Sequence, residues 1–206
     1  AQLRQLMAGT TSIVGATFAS TGNGGLLRNL DASPAGQLGA VAGAGGVVSD
    51  TFPLGDSSGL ELSTGCGYPR LPGPSAVPAD AAYLPHLGEG INAAAHNELQ
   101  CVAQAPGGSA LGSRTAIVHG IGVTATDVAL LAATGTSLVW SPRSNVSLYG
   151  DTAPIALYVR SGVNIALGTD WTISGSMNLL RELKCADHLN RTRFGAPLSD
   201  QALWRT

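Results

Sequence analysis

Charge is scarce in this sequence. Lys and Arg together number 11 and Asp and Glu 13 among 206 residues, 12% in all, for a formal net charge of -2. No basic run occurs, and no aromatic side chains are interleaved with basic ones. The electrostatic footprint that tracks a phosphate backbone is therefore missing, which argues against a nucleic-acid partner. Long apolar runs are missing as well. No stretch approaches the roughly 18 to 20 residues that cross a bilayer, so a membrane partner is not expected. Cysteine is limited to Cys66, Cys101 and Cys185, spread without metal-site spacing. An odd number so placed reads as reduced, structural thiols in a cytoplasmic protein. The 44% hydrophobic content suffices for one sizeable domain with its own core.

What the chain does have is a repeating device between Thr115 and Asp170. A short apolar run ends on a polar residue, and an amphipathic segment follows. Ala116-Ile117-Val118 ends on His119, Ser137-Leu138-Val139-Trp140 on Ser141, and Val163 to Leu167 leads through Gly168-Thr169 to Asp170. Between the first two runs, Thr124-x-x-Asp127 has the form of a capping box and predicts a helix over 125–134, stopped by Gly135. Asp151-Thr152-Ala153-Pro154 opens a further helix that Gly162 closes. Strands alternating with helices argue for parallel β/α units with both sheet faces covered. Ligand sites in such folds lie beyond the carboxyl ends of the strands, where His119, Ser141 and Asp170 would point.

Elsewhere the signals vary in strength. Residues 1–8 read as the tail of a helix stopped by Gly9, and Thr10 to Thr17 as a strand. Leu26-Leu27-x-x-Leu30 hints at a helical turn, and Gly46 to Phe52 fits a second strand. Pro53 to Ala79 is rich in proline and glycine and reads as irregular, with at most a degenerate strand at Leu60 to Ser63. Such a loop is either functional or a misread element. Tyr83-Leu84-Pro85 leads to His86, Glu89 falls in the turn that follows, and helical spacing resumes at Ile91. Met177 to Leu189 reads as a helix, and another begins near Ala202.

His86-x-x-Glu89, Val118-His119-Gly120, Ser141-Pro142-x-Ser144-Asn145 and Gly168-Thr169-Asp170 occur in an order and spacing that resemble the amidohydrolase superfamily. The likeness is to its cytosine deaminase, adenosylhomocysteine deaminase and chlorohydrolase branch. Met7-Ala8-Gly9-Thr10-Thr11 and Ser174-Gly175-Ser176-x-Asn178-Leu179-Leu180-x-Glu182 extend it. The resemblance implies a metal-dependent (β/α)8 barrel. Residues 1–206 would form one partial barrel domain, from about its second strand to the helices after its eighth, with the first strand missing and both ends cut. It implies His86 and Asp170 as metal ligands, Asp170 also as the acceptor of the activated water's proton, Glu89 as proton shuttle, and His119 as the residue that orients water or polarises substrate. Imidazole and carboxylate together suit zinc, with iron or manganese as alternatives. The implied reaction is hydrolysis of a non-peptide C–N bond, most simply deamination of a heterocycle by metal-activated water; dechlorination stays open. A small-molecule substrate is the expected partner, and homo-oligomerisation is left open.

The family's first-strand His-x-His pair has no counterpart here, since the other histidines, His96 and His188, lie within predicted helices. A catalytic zinc normally has three protein ligands. The alternative function is accordingly a non-catalytic barrel relative, or an inactive fragment lacking those ligands. Each candidate also has a structural reading. His86 and His119 could be hydrogen-bonded strand-end residues, Glu89 could favour a helix start by its charge, and Asp170 could serve as a cap. Ser141 and Asn145 are substrate-binding candidates that equally suit loop bracing. Trp140 and Trp171 could line a pocket or pack in the core.

Overall fold

The computed structural model describes residues 2–14, 27–31, 46–77, 79–171 and 173–206. Helix α1 (Gln2–Met7) precedes two short strands, β1 (Ser12–Ile13) and β2 (Arg28–Asn29), which pair in parallel. A five-stranded parallel sheet follows in the order β3 (Val47–Asp50), β4 (Ala82–Leu87), β5 (Ala116–His119), β6 (Ser137–Trp140) and β7 (Ile165–Leu167). The two ladders meet where the Val47 amide donates to the Leu30 carbonyl, 2.9 Å away. Neighbours in sequence are thus neighbours in space throughout.

The connections are mostly helical: α2 (Ala93–Ala103), α3 (Ala125–Thr134), α4 (Pro142–Tyr149), α5 (Ile155–Arg160), α6 (Leu179–Thr192) and α7 (Asp200–Trp204). Helix α3 forms as its ends specify. The Thr124 hydroxyl accepts from the Asp127 amide while Asp127 accepts from the Thr124 amide at 2.7 Å, and Gly135 closes the helix at φ 74°. Leu87, Leu99, Ile117, Leu131, Leu138, Ile155 and Tyr158 fill the core between sheet and helices with no exposed surface. Truncating one of the aliphatic members to alanine costs roughly 2–5 kcal/mol, because the close-packed surroundings collapse only partly into the hole. Among the described residues no helix is long and apolar enough to cross a membrane.

Several expectations are corrected. Arg28 and Asn29 form a strand where a helical turn was expected. Leu60 to Ser63 is not a strand. Segment 53–77 is nonetheless anchored, since Leu54 and Tyr68 are buried in the core and the Tyr68 hydroxyl meets the Leu62 backbone. The expected first strand is described only at Ser12 and Ile13, and its continuation beyond residue 14 lies outside the described residues. Helix α4 stands where only a turn was expected, whereas α5 follows its expected opening, with Pro154 at the cap position. Finally, Cys66 and Cys101 form a disulfide, leaving Cys185 free. The expectation of three reduced thiols fails, and with it one ground for a cytoplasmic location, because disulfides persist in oxidising compartments.

Candidate metal centre

The site is built at the carboxyl ends of the strands. His86 is the penultimate residue of β4, Glu89 follows in the β4–α2 turn, His119 ends β5, and Asp170 lies three residues past β7. Strand register pairs His119 with Leu87, whose side chain is buried in the core. Yet the His119 ring lies 5.1 Å from that of His86, at 52° to it. The difference comes from the His119 backbone, which leaves the extended region for φ 73° and swings the ring toward the cluster. Asp170 has φ 56°. A left-handed conformation at a non-glycine residue costs on the order of 1–3 kcal/mol, and such strain concentrates at functional sites.

Gly120 and Gly168 let the chain pass these points. A Cβ on Gly120 would lie 2.5 Å from the Tyr158 hydroxyl and 2.8 Å from Leu138 Cδ1, and one on Gly168 would lie 2.6 Å from Val139 Cγ1. Neither position has room for a side chain.

Both imidazoles are tied back through Nδ1. His86 Nδ1 donates to the Asp50 carbonyl, 3.3 Å away. His119 Nδ1 donates to Asn145 Oδ1 at 2.8 Å, and the Asn145 amide in turn donates to Thr152 Oγ1, which also receives Trp140 Nε1–H. A proton fixed on Nδ1 leaves Nε2 as a free lone pair, the arrangement that prepares a histidine to ligate metal. His119 Nε2 is buried and makes no hydrogen bond. It faces Glu89 Oε1 at 3.3 Å and Asp170 Oδ2 at 4.0 Å. A lone pair opposed to carboxylate oxygens is repulsive unless a cation lies between them. Ligand atoms of His86, Glu89 and His119 all fall within 4.8 Å of one another, a group able to hold a metal ion. Burial holds His86 below the usual histidine range, with the neighbouring His119 acting in the same direction, so its neutral, ligating form is favoured.

The carboxylates are braced in turn. Tyr149 donates to Glu89 Oε1 at 2.8 Å, and burial, reinforced by Glu89, pushes that phenol well above its usual range, keeping it a donor. Asp170 accepts from the Ser144 hydroxyl through Oδ2 and from the Trp171 amide through Oδ1 at 2.7 Å. Because Ser144 spends its proton on Asp170, its 2.8 Å contact with Ser174 has Ser174 as donor.

The structure thus brings His86, Glu89, His119 and Asp170 together and places Asn145 directly behind His119. Trp140 does not face the site. Its indole is fully buried, packs edge-on against Phe194 and donates to Thr152, so pocket lining gives way to core packing. Trp171 is 56% exposed beside Asp170. Ser141 is buried with its hydroxyl unpartnered. Away from the site, His96 pairs with the buried Asp127 at 3.0 Å and His188 is exposed on α6. Sequence reasoning gave no role to Tyr149, Ser144, Thr152 or Ser174. Tyr149 follows Asn145 by one helical turn, a signal that exists only once 142–149 is seen to be a helix.

Residues 83–204 match the family model described as the amidohydrolase family. Among curated proteins, a 5-methylthioadenosine/S-adenosylhomocysteine deaminase of Halobacterium salinarum is 37% identical over 81 residues, covering 39% of this chain and 19% of that protein. A 5'-deoxyadenosine deaminase of Methanothrix thermoacetophila is 32% identical over 98 residues, covering 46% and 24%. The chain therefore spans a quarter or less of the length of these relatives. Among solved structures, a triazine hydrolase from Arthrobacter aurescens superposes with a TM-score of 0.52 at 15% identity, covering 92% of this chain and 38% of that one.

Proposed function

We propose, from the premise that this chain belongs to the amidohydrolase family, that it is part of a metal-dependent hydrolase that removes an amino group from a heterocycle. The seven parallel strands among the described residues are read as part of a (β/α)8 barrel. The observation that carries the reading is the buried, unpartnered Nε2 of His119 facing His86 and two carboxylates. A donor set of imidazole nitrogen and carboxylate oxygen suits zinc, with iron or manganese fitting the same ligands.

A divalent ion held at this site would supply Lewis acidity and make water there more acidic, toward a pKa of about 7. The side chains divide the remaining tasks. His86 and Asp170 would hold the ion, and His119 orients the water or the ring atom under attack. Glu89, steadied by Tyr149, carries a proton from the water to the departing nitrogen. The balance is simple: water adds at the ring carbon, the C–N bond breaks, and ammonia leaves. Two relatives named as deaminases of adenosine-type compounds support an exocyclic amino group on a purine-like ring as the target.

The test is metal content measured beside turnover of aminated heterocycles, on the complete gene product. His86→Ala and Asp170→Asn are expected to lose metal, while Glu89→Gln keeps it and stops turnover. A normal metal load in the first two variants refutes the ligand assignment, and metal loss in Glu89→Gln would make Glu89 a ligand instead.

A further inference from the structure

Helix α4 touches three of the four site residues. Ser144 meets Asp170, Asn145 meets His119, and Tyr149 meets Glu89. Its eight residues are too few for a helix to stand unaided. Its amino end also lacks the usual local support: Ser141, at the cap position, makes no side-chain capping bond, and Pro142 has no amide proton to satisfy. The missing acceptor comes from elsewhere. Glu182, in the first turn of α6, accepts from the Arg143 amide through Oε1 at 2.9 Å. Its side chain is wholly buried, and burial pushes its carboxyl above the usual range. No part of the proposed chemistry requires a buried acid there.

We infer that Glu182 is a positioning residue: as the acceptor for the Arg143 amide it fixes α4, and through α4 it sets His119, Asp170 and Glu89 relative to one another. The chain makes this a closed frame. Asp170 and Glu182 lie on one continuous segment running from β7 into α6, and each is bonded to α4, through Ser144 and Arg143 respectively. With the second bond removed, α4 can pivot about the first. Asn145 then leaves His119 Nδ1, and the imidazole loses its fixed tautomer. The proposal presupposes the hydrolase reading above for its effect on turnover, but not for its effect on the ring.

Two variants separate acceptor from charge. Glu182→Gln keeps a carbonyl oxygen for the Arg143 amide and removes the charge. Glu182→Asp keeps the charge and withdraws the oxygens by one methylene. The measurement is the ¹⁵N–¹H correlation of the His119 ring in metal-stripped complete protein, followed by kcat and KM after metal is restored. Wild type and Glu182→Gln are expected to show a solvent-protected Nδ1–H signal, and Glu182→Asp to lose it. Turnover of Glu182→Asp should fall about 10- to 100-fold, as for outer partners of metal ligands, with KM within about twofold. A protected signal in Glu182→Asp, or its loss in Glu182→Gln, overturns the proposal. If the ring signal behaves as expected but no heterocycle is turned over by the wild type, the hydrolase reading fails and Glu182 keeps its role. Glu182→Gln also provides the folded reference should Glu182→Asp prove unstable: melting below wild type in Asp but not in Gln supports the acceptor, and equal loss in both overturns it.

Discussion

Asn145 Oδ1 lies 2.8 Å from His119 Nδ1, with both residues buried. One amide oxygen thus decides which nitrogen of the ring is left free. Asn145→Ala strands a buried N–H and lets the imidazole take the other tautomer or rotate. Turnover is expected to fall about 10- to 100-fold, in the range found for lost partners just outside a metal site. Asn145→Asp, which retains the acceptor, should fall less. Turnover of an aminated heterocycle by the metal-loaded protein reads both, and an unchanged rate in the alanine variant would show that the ring needs no such support.

Glu98 is expected to make stability depend on pH. Burial, with Asp56, Glu89 and Glu61 adding negative charge, pushes its carboxyl from 4.5 up to about 7, against the pull of the Gly88 amide that it accepts at 3.3 Å. A carboxyl raised in the folded state binds more protons there than in the unfolded chain across that interval. Its contribution is complete below about pH 4.5 and is lost as pH rises through about 7. Glu98→Gln should flatten this fall, melting increasingly above wild type between about pH 4.5 and 7. Parallel melting curves for the two proteins would contradict it.

The Cys66–Cys101 bond closes a loop across 35 positions and ties segment 53–77 to α2, where Asn97 also donates to the Leu62 and Gly65 carbonyls. A cross-link of that span contributes about 2–4 kcal/mol by restricting the unfolded chain. Reduction, or Cys66→Ser, is therefore expected to lower Tm by about 5–15 °C in a domain of this size. Thermal melts with and without dithiothreitol check this, and identical melts would mean that Asn97, Leu54 and Tyr68 hold the segment without help from the cross-link.

What could be read in advance was whatever local chemistry decides. Thr124, Asp127 and Gly135 announce α3 because both ends of that helix are capped by its own neighbours. His86, next to last in β4, and His119, last in β5, stand out because each puts a polar residue at the end of an apolar run. Helix α4 was hidden for the opposite reason. Ser141, Pro142, Ser144 and Asn145 are turn formers by local preference, and the acceptor that helps hold them helical is 39 positions away, at Glu182. Pairing of Cys66 with Cys101 leaves no trace in spacing either, since it depends on where a proline-rich segment lies across a helix. Segment 53–77 owes its order to two buried side chains, Leu54 and Tyr68, that no periodic pattern marks.

The left-handed backbone at His119 and Asp170 narrows what either position can become. Asparagine and glycine enter that conformation readily, whereas alanine and β-branched residues do not. Drift through neutral substitutions at these points is therefore confined to a few codons by the main chain alone, whatever the chemistry asks. Asparagine is the fair replacement at either position, because only there does a change in behaviour report the missing imidazole or carboxylate and not a displaced loop.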